Sequence, residues 1–447
     1  MRNLTLFEFD TVIDEATGAS KKAAVPSAVF SWLESLCLRN SNMGEINWLK
    51  LTQRNGQRVI QFTNYVGVLR APNGYQLEIL PKTGRNNTDE NTARQQLIKM
   101  LRCLNGFRHI QTHNAQVAQV RMPLLEVFIR ELLTSVQSVV KRGLRSDYVT
   151  HRDNLFALRG KLLMASHLRS NLTRPDRFYT EHDEFSPNRP ENRLLHLALQ
   201  RVLTITQSQQ NQRLARELCF VFADVPESTA IDLDLQRIRL DCGMGYYEAA
   251  LDWAKLLIKG LSPLTSSGAA EAPSLLFPME AVFEAYVKKY LPRQLVEGAQ
   301  LIAQARSQFL VEHLSQPGFG LKPDLLICKD QKNGLVLDTK WKLLNTKDKN
   351  YGLSPSDFYQ LYAYGHHYLD GQGDVVLIYP KTDMFSEPLP VFTFPKTPGL
   401  RLWVLPFCLE NDQLLLPPAD PIDTSEARQL NQYIRQYMPI RRKYVEY

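Results

Sequence analysis

The sequence predicts a multidomain chain of mixed α/β and α+β class. A small, β-rich, barrel-like domain is expected over residues 1–90, a mostly helical domain over 91–270, and a C-terminal α/β domain over 271–447. Three features predict it. Short apolar, β-branched runs with Asn-Gly turns fill the first 80 residues. Leucine-rich stripes at spacings of three and four fill the middle. Beyond residue 275, two short strands stand between two amphipathic helices.

In the first domain, residues 4–9 read as a strand, and 27–38 as a helix in which Phe30, Leu33, Leu36 and Cys37 recur at helical spacing. Residues 48–51, 58–62, 66–70 and 75–80 read as strands, with Arg54-Asn55-Gly56 and Pro72-Asn73-Gly74 as turns. Small sheets of this kind commonly curl into a barrel. Such a barrel could bind DNA or protein; its composition does not decide.

The polar stretch at 84–92 breaks the pattern and marks a boundary. Beyond it, Leu97, Met100, Leu101 and Leu104 form one helical stripe. A longer stripe runs through Leu125, Phe128, Ile129, Leu132, Val136 and Val140, and Leu194 to Leu199 belong to a third helix. From Lys141 to Arg193 the chain carries eleven Lys and Arg against seven acids. The stretch is either a surface for DNA phosphate or a partner, or a solvated loop-helix segment. The small-residue run at 261–273 reads as a linker into the last domain.

The last domain is organised around Pro323-Asp324-Leu325-Leu326-Ile327-Cys328 and Gly334-Leu335-Val336-Leu337-Asp338-Thr339-Lys340-Trp341, joined by a polar turn. Side chains alternate along a strand, so Asp338 and Lys340 share one face while Leu337, Thr339 and Trp341 share the other. A hairpin brings Asp324 beside Asp338. Two carboxylates and an ammonium then converge, a set suited to a hard cation such as Mg2+ and to phosphodiester hydrolysis. A surface hairpin with an ion pair is the bland alternative.

Before the hairpin, Met279, Val282, Phe283, Tyr286, Val287 and Tyr290 form a helical face, with Glu284 beside it. Glu284 is a candidate further metal carboxylate; its spacing also allows an i,i+4 pair with Lys288. After the hairpin, residues 356–368 form a helix that Ser354 or Ser356 can cap. Gln360 and Tyr364 share one of its faces, and the adjacent His366 and His367 face different ways. Residues 375–380 and 401–407 read as further strands.

The Pro-Asp, spacer, Asp-Thr-Lys pattern resembles the core of PD-(D/E)xK restriction-endonuclease-like nucleases. The resemblance makes Asp324, Asp338 and Lys340 the catalytic set, with Gln360 and Tyr364 beside it against the lysine or the DNA backbone. More widely, the chain resembles the McrC family, the nuclease subunits of McrBC modification-dependent restriction systems. The likeness rests on Leu77-Glu78-Ile79-Leu80-Pro81-Lys82, Lys141-Arg142-Gly143-Leu144-Arg145-Ser146-Asp147-Tyr148, Leu158-Arg159-Gly160-Lys161-Leu162, the run from Asp183 to Leu195, and Phe277-Pro278-Met279-Glu280-Ala281-Val282-Phe283-Glu284, and so spans roughly residues 60–380. It implies a Mg2+-dependent endonuclease acting on double-stranded, methylcytosine-containing DNA. The partner would be an McrB-like AAA+ GTPase ring, engaged through residues 1–90, with dimerisation possible through the nuclease domain. A chain starting near Thr92 is then expected to keep a folded nuclease domain and lose stimulation of the partner.

Composition narrows the alternatives. No run approaches the roughly 18 apolar residues of a membrane span, and the acid-bearing N-terminus is unlike a signal peptide, so a cytoplasmic protein is expected. Six scattered cysteines without Cys-x-x-Cys argue against zinc and a disulfide framework. A net charge of +7 permits nucleic-acid binding without requiring it. Gly160-Lys161 is followed by Leu162 and lacks the leading glycine of a phosphate-binding loop, so nucleotide hydrolysis belongs to another chain. Two competing functions remain: a non-catalytic activator of an NTPase ring, and a stand-alone repair-type nuclease.

Overall fold

The computed structural model describes residues 3–17, 24–43, 48–54, 56–84, 90–104, 123–259, 274–330, 332–417 and 432–438. Asn55, most of the polar break at 84–92, the expected linker at 261–273 and the basic tail at 440–444 lie outside them. The chain divides into two compact units, one of Met1–Asn3, Gly67–Glu78 and His109–Leu276, the other of Leu4–Val66, Ile79–Arg108 and Phe277–Tyr447. The N-terminal segment Leu4–Val66 thus shares a compact unit with the C-terminal part. This corrects the expectation for a chain starting near Thr92: such a chain would lose part of the unit that holds the candidate site.

The early strands appear close to their expected places, as Asn3–Phe7, Leu49–Arg54, Gln57–Phe62, Tyr65–Arg70 and Gln76–Leu80. One four-stranded sheet runs Ala24–Val25, Thr11–Asp14, Gln57–Phe62, Leu49–Arg54, and another Asn3–Phe7, Gln76–Leu80, Tyr65–Arg70, Ser274–Pro278. The helix foreseen at 27–38 extends over Ser27–Met43. Gly67 is obligatory in its strand. Its φ is +134°, and a Cβ there would lie 1.8 Å from the Leu275 carbonyl oxygen, so only a residue without a side chain allows this approach.

In the other unit, helices Leu124–Arg142, Pro190–Ile205, Gln209–Val221 and Glu248–Lys259 bury their apolar stripes. Phe128 stacks at 5.6 Å from Trp253, and the buried Glu126 accepts hydrogen bonds from Thr206, Gln207 and Asn211. The region between the helices departs from the expected loop-helix segment. Asp147–Leu155 and Phe178–Ser186 pair antiparallel, and Lys161–Leu162 joins them as a third strand. No residue of the first strand is fully buried, so it carries no apolar alternation to betray it. Its ladder is reinforced by residues directly opposite one another: Thr150 with Asp183 at 2.6 Å, Arg152 with Glu181 at 2.6 Å, and the rings of Tyr148 and Phe185 at 5.1 Å.

The C-terminal part is built on a seven-stranded sheet. Its main order is Ala299–Ala303, Leu325–Lys329, Lys332–Thr339, Gly373–Pro380, Thr397–Cys408, Phe392–Phe394, and Gln413–Leu414 pairs with Thr397–Cys408. The first three strands are antiparallel; the next two join in parallel. Parallel neighbours need a crossover, and helix Pro355–Leu369 supplies it between Lys332–Thr339 and Gly373–Pro380. Every residue of Gly373–Pro380 is buried, as expected of a central strand covered on both faces. Leu361, Tyr364 and Tyr368 of the crossover helix pack with Val336, Val375 and Leu377 on one face. On the other, Phe283 of helix Met279–Tyr290 meets Trp341 at 5.3 Å and Phe407 at 6.3 Å.

Just before the site hairpin, Gln316–Leu321 pairs with Gln308–His313 in a separate hairpin, and Pro323, which lacks a backbone donor, stands in the break before Leu325–Lys329. One local expectation is corrected. Ser354 stands at the N-cap of the crossover helix but makes no capping bond, because its hydroxyl meets that of Ser356 at 2.6 Å.

Candidate active site

The site forms where the Lys332–Thr339 strand ends. Leu325 pairs with Leu337 in the hairpin register, which puts Asp324 at the level of Asp338. Asp324 is fixed there by Thr339, whose backbone N–H and hydroxyl donate to its Oδ2 at 2.8 and 2.7 Å. The Asp324 carbonyl accepts from the backbone N–H of Gln304 at 2.8 Å. The strand's pleat then directs Asp338 and Lys340 to the same side, as foreseen, and Lys340 Nζ lies 2.8 Å from Asp338 Oδ2.

Helix Pro355–Leu369 closes that side. Lys340 Nζ donates to Gln360 Oε1 at 3.3 Å, Gln360 Nε2 donates to the Tyr364 hydroxyl at 2.7 Å, and Tyr364 donates to the Lys322 carbonyl at 3.1 Å. The chain of bonds runs from the lysine back to the segment preceding Asp324. Five candidate residues, Asp324, Asp338, Lys340, Gln360 and Tyr364, are therefore brought together.

Glu284 borders this group through Gln304, whose side chain donates to Glu284 and whose backbone N–H donates to Asp324. The Lys288 ion pair allowed by its spacing is not formed; Glu284 Oε1 accepts from Gln304 Nε2 at 2.9 Å. Its carboxyl is raised above the usual range first by burial and then by the charge of Asp324. Among the described residues, no group of three or more His, Cys, Asp or Glu is arranged to hold a metal ion.

One participant was not foreseen. Asp357 lies one turn before Gln360 on the crossover helix, 4.0 Å from Lys340 Nζ, and accepts from the Tyr379 hydroxyl at 3.1 Å. Its i,i+3 relation to Gln360 was the available signal.

The electrostatics follow from burial and crowding of like charge. Asp338 is 2% exposed; burial, and next the Asp324 carboxylate, push its carboxyl up to about 7 against the pull of Lys340. Burial draws the Lys340 ammonium down, but Asp338, Asp357 and Asp324 outweigh it, so the lysine is held above its ordinary value. Lys340 is consequently a cation at neutral pH. Perturbation of this kind, with named causes, is characteristic of functional clusters.

The basic stretch is partly engaged within the fold. Arg152 pairs with Glu181, Arg189 with Glu191, and Arg193 with Asp234, while Arg177 stacks 4.3 Å over the Phe156 ring. No helix among the described residues is long and apolar enough to cross a membrane.

Comparison with known proteins adds three findings. The family model for the McrBC 5-methylcytosine restriction system component matches residues 60–380. The chain is similar in fold to one in a Thermococcus gammatolerans structure, a refined half-complex from a tetradecameric assembly of McrB AAA+ hexamers with bound McrC. The TM-score is 0.68 at 21% identity, over 97% of this chain and 99% of that one. A chain of the Thermococcus gammatolerans McrBC complex also aligns, with a TM-score of 0.49 at 22% identity over 66% of this chain and 88% of that one. No curated protein matches the chain.

Proposed function

The chain belongs to the McrBC 5-methylcytosine restriction system family, and on that premise we propose that it is the McrC-like nuclease subunit of such a system. In this proposal residues 271–447 form a PD-(D/E)xK nuclease domain that cuts double-stranded, methylcytosine-containing DNA. Residues 1–90 engage an McrB-like AAA+ GTPase ring and stimulate its hydrolysis, and residues 91–270 lie between them in the chain. The observation that carries the proposal is the convergence of Asp324, Asp338 and Lys340 at one strand end, braced by Gln360 and Tyr364. A ring partner is supported by the McrB AAA+ hexamers with bound McrC in the structure of similar fold.

The donor set fits magnesium. Two carboxylates supply hard oxygen ligands, and Mg2+ characteristically takes one or two carboxylates and keeps several waters. Asp324 and Asp338 would hold it, with Glu284 as the candidate further carboxylate. When bound, the cation supplies polarisation of the phosphodiester and activation of a water.

The chain's own residues do the rest. Thr339 keeps Asp324 turned toward Asp338. Asp338 and Asp357 keep Lys340 charged, so that its ammonium faces negative charge developing on phosphate oxygens. Gln360 holds Lys340, and Tyr364 holds Gln360.

The test is to incubate the purified chain, with and without its AAA+ partner, with methylated duplex DNA, Mg2+ and GTP. Cutting that requires both proteins and both small molecules is expected. Calcium in place of magnesium should occupy the same carboxylates yet support little cutting, being larger and less rigidly coordinated. Stimulated hydrolysis without any cutting would instead make the chain a non-catalytic activator.

A further inference from the structure

Behind the candidate site, on the face of the strand opposite Lys340, Trp341 is enclosed by residues from the start of the chain. Its indole N–H lies 3.0 Å from both carboxylate oxygens of Glu8, a contact spanning 333 residues. Its backbone carbonyl accepts from Lys82 Nζ at 3.0 Å. Glu8 and Lys82 are themselves joined: the Lys82 backbone N–H donates to Glu8 Oε2 at 2.9 Å, and the Glu8 N–H to the Leu80 carbonyl at 3.0 Å. The Lys82 ammonium sits 4.9 Å over the Phe9 ring and 5.6 Å over the Trp341 ring.

Each part of this arrangement is costly in isolation. Glu8 is completely buried, and a buried carboxylate is tolerated only with good partners. Burial drives its carboxyl up to about 7, opposed first by the charge of Lys82. Burial likewise pulls the Lys82 amine down, opposed by Glu8 and Glu280, with Lys342 adding to the pull. Phe9, next to Glu8, has a φ of +64°, a conformation unfavourable for a bulky residue and maintained only where surroundings over-determine it. Glu8, Lys82 and Phe9 bear these costs while enclosing Trp341, the residue directly after Lys340. The backbone of Lys340 has its own anchor, an N–H donated to the Ile378 carbonyl at 2.9 Å. With Trp341 clasped by side chain and carbonyl, the strand end bearing Asp338 and Lys340 is held from both sides.

We propose that Glu8 and Lys82 are positioning residues of the candidate site, acting through Trp341 to fix the Lys340 end of the strand. The N-terminal segment is thereby a working part of the proposed nuclease centre. This rests on the nuclease reading of that site.

The test uses the full chain with its AAA+ partner, GTP, Mg2+ and a methylated duplex, under single-turnover conditions well below each variant's unfolding temperature. Glu8→Gln keeps the shape and removes the charge; Trp341→Phe keeps the ring and removes the indole N–H. Each is expected to lower the saturating cleavage rate about tenfold with the half-saturating DNA concentration changed less than twofold. The double variant should be no slower than the slower single one, because both act through one contact. Rates within twofold of the unsubstituted chain, or losses that multiply in the double variant, overturn the proposal. A variant that fails to fold leaves the decision to the other. If the unsubstituted chain does not cut, the nuclease reading itself fails, an outcome separate from failure of the clasp.

Discussion

Asp338 is a carboxylate whose burial opposes its own charge. Its carboxyl titrates at about 7 in the folded chain against an ordinary value of 3.8. The folded state therefore holds a proton that the unfolded chain has released, and stability falls as pH rises from about 4 to about 7. Without divalent cations, Asp338→Asn should leave stability nearly unchanged at about pH 4 and raise it by roughly 1–4 kcal/mol at pH 8. Urea unfolding of both proteins at the two pH values checks this. A variant less stable at pH 8 would show that the Lys340 pair outweighs the burial.

The paired strands give a second expectation. Asp374 and Arg401 lie opposite each other in the parallel register, both buried, with Arg401 Nε donating to Asp374 Oδ1 at 2.8 Å. Asp374→Ala takes the carboxylate from a buried guanidinium and should cost about 3–5 kcal/mol, read as a lower urea midpoint. At the three-stranded sheet, Gly160 has a φ of +71°, and a Cβ there would lie 2.4 Å from the Glu181 carbonyl oxygen. Gly160→Ala should loosen the pairing of that sheet, seen as faster amide exchange across residues 178–186, while the Arg152–Glu181 pair, being exposed, contributes about 1 kcal/mol or less.

The same elements show what a sequence can disclose. The Asp338–Lys340 relation was legible because strand pleat is a local rule, and Asp324 because a hairpin has few registers. The Gln360–Tyr364 pair was legible as a helix face. Asp357 was not, since its role depends on the crossover helix closing over the strand end. The strand Asp147–Leu155 was hidden because polar residues line both its faces, leaving backbone pairing and cross-strand contacts to hold it. Glu8 was beyond reach, because nothing local links it to a tryptophan 333 residues away.

For the whole molecule, the proposed assignment separates cutting from targeting. In that proposal Lys340, Gln360 and Tyr364 face phosphate rather than base edges, and phosphate contacts carry no sequence information directly. The isolated chain should bind duplex DNA weakly, with affinity falling steeply as salt rises and little changed by cytosine methylation. Titrations on matched methylated and unmethylated duplexes at fixed salt check this. A tenfold preference, about 1.4 kcal/mol, would place a modified-base reader in this chain and reassign residues 1–90 or the stretch from Lys141 to Arg193 to DNA.

The most direct test of the proposed nuclease centre is cleavage of a methylated duplex by the chain reconstituted with the proposed AAA+ partner, Mg2+ and GTP, comparing the unsubstituted chain with Asp338→Asn and Lys340→Ala. Stimulated GTP hydrolysis is measured in the same mixtures. Both variants are expected to lose cleavage by about a hundred- to a thousandfold, the order found when a charge-stabilising group is removed from an active site, while stimulating hydrolysis like the unsubstituted chain. Cleavage by Asp338→Asn at the unsubstituted rate would contradict the assignment of the site.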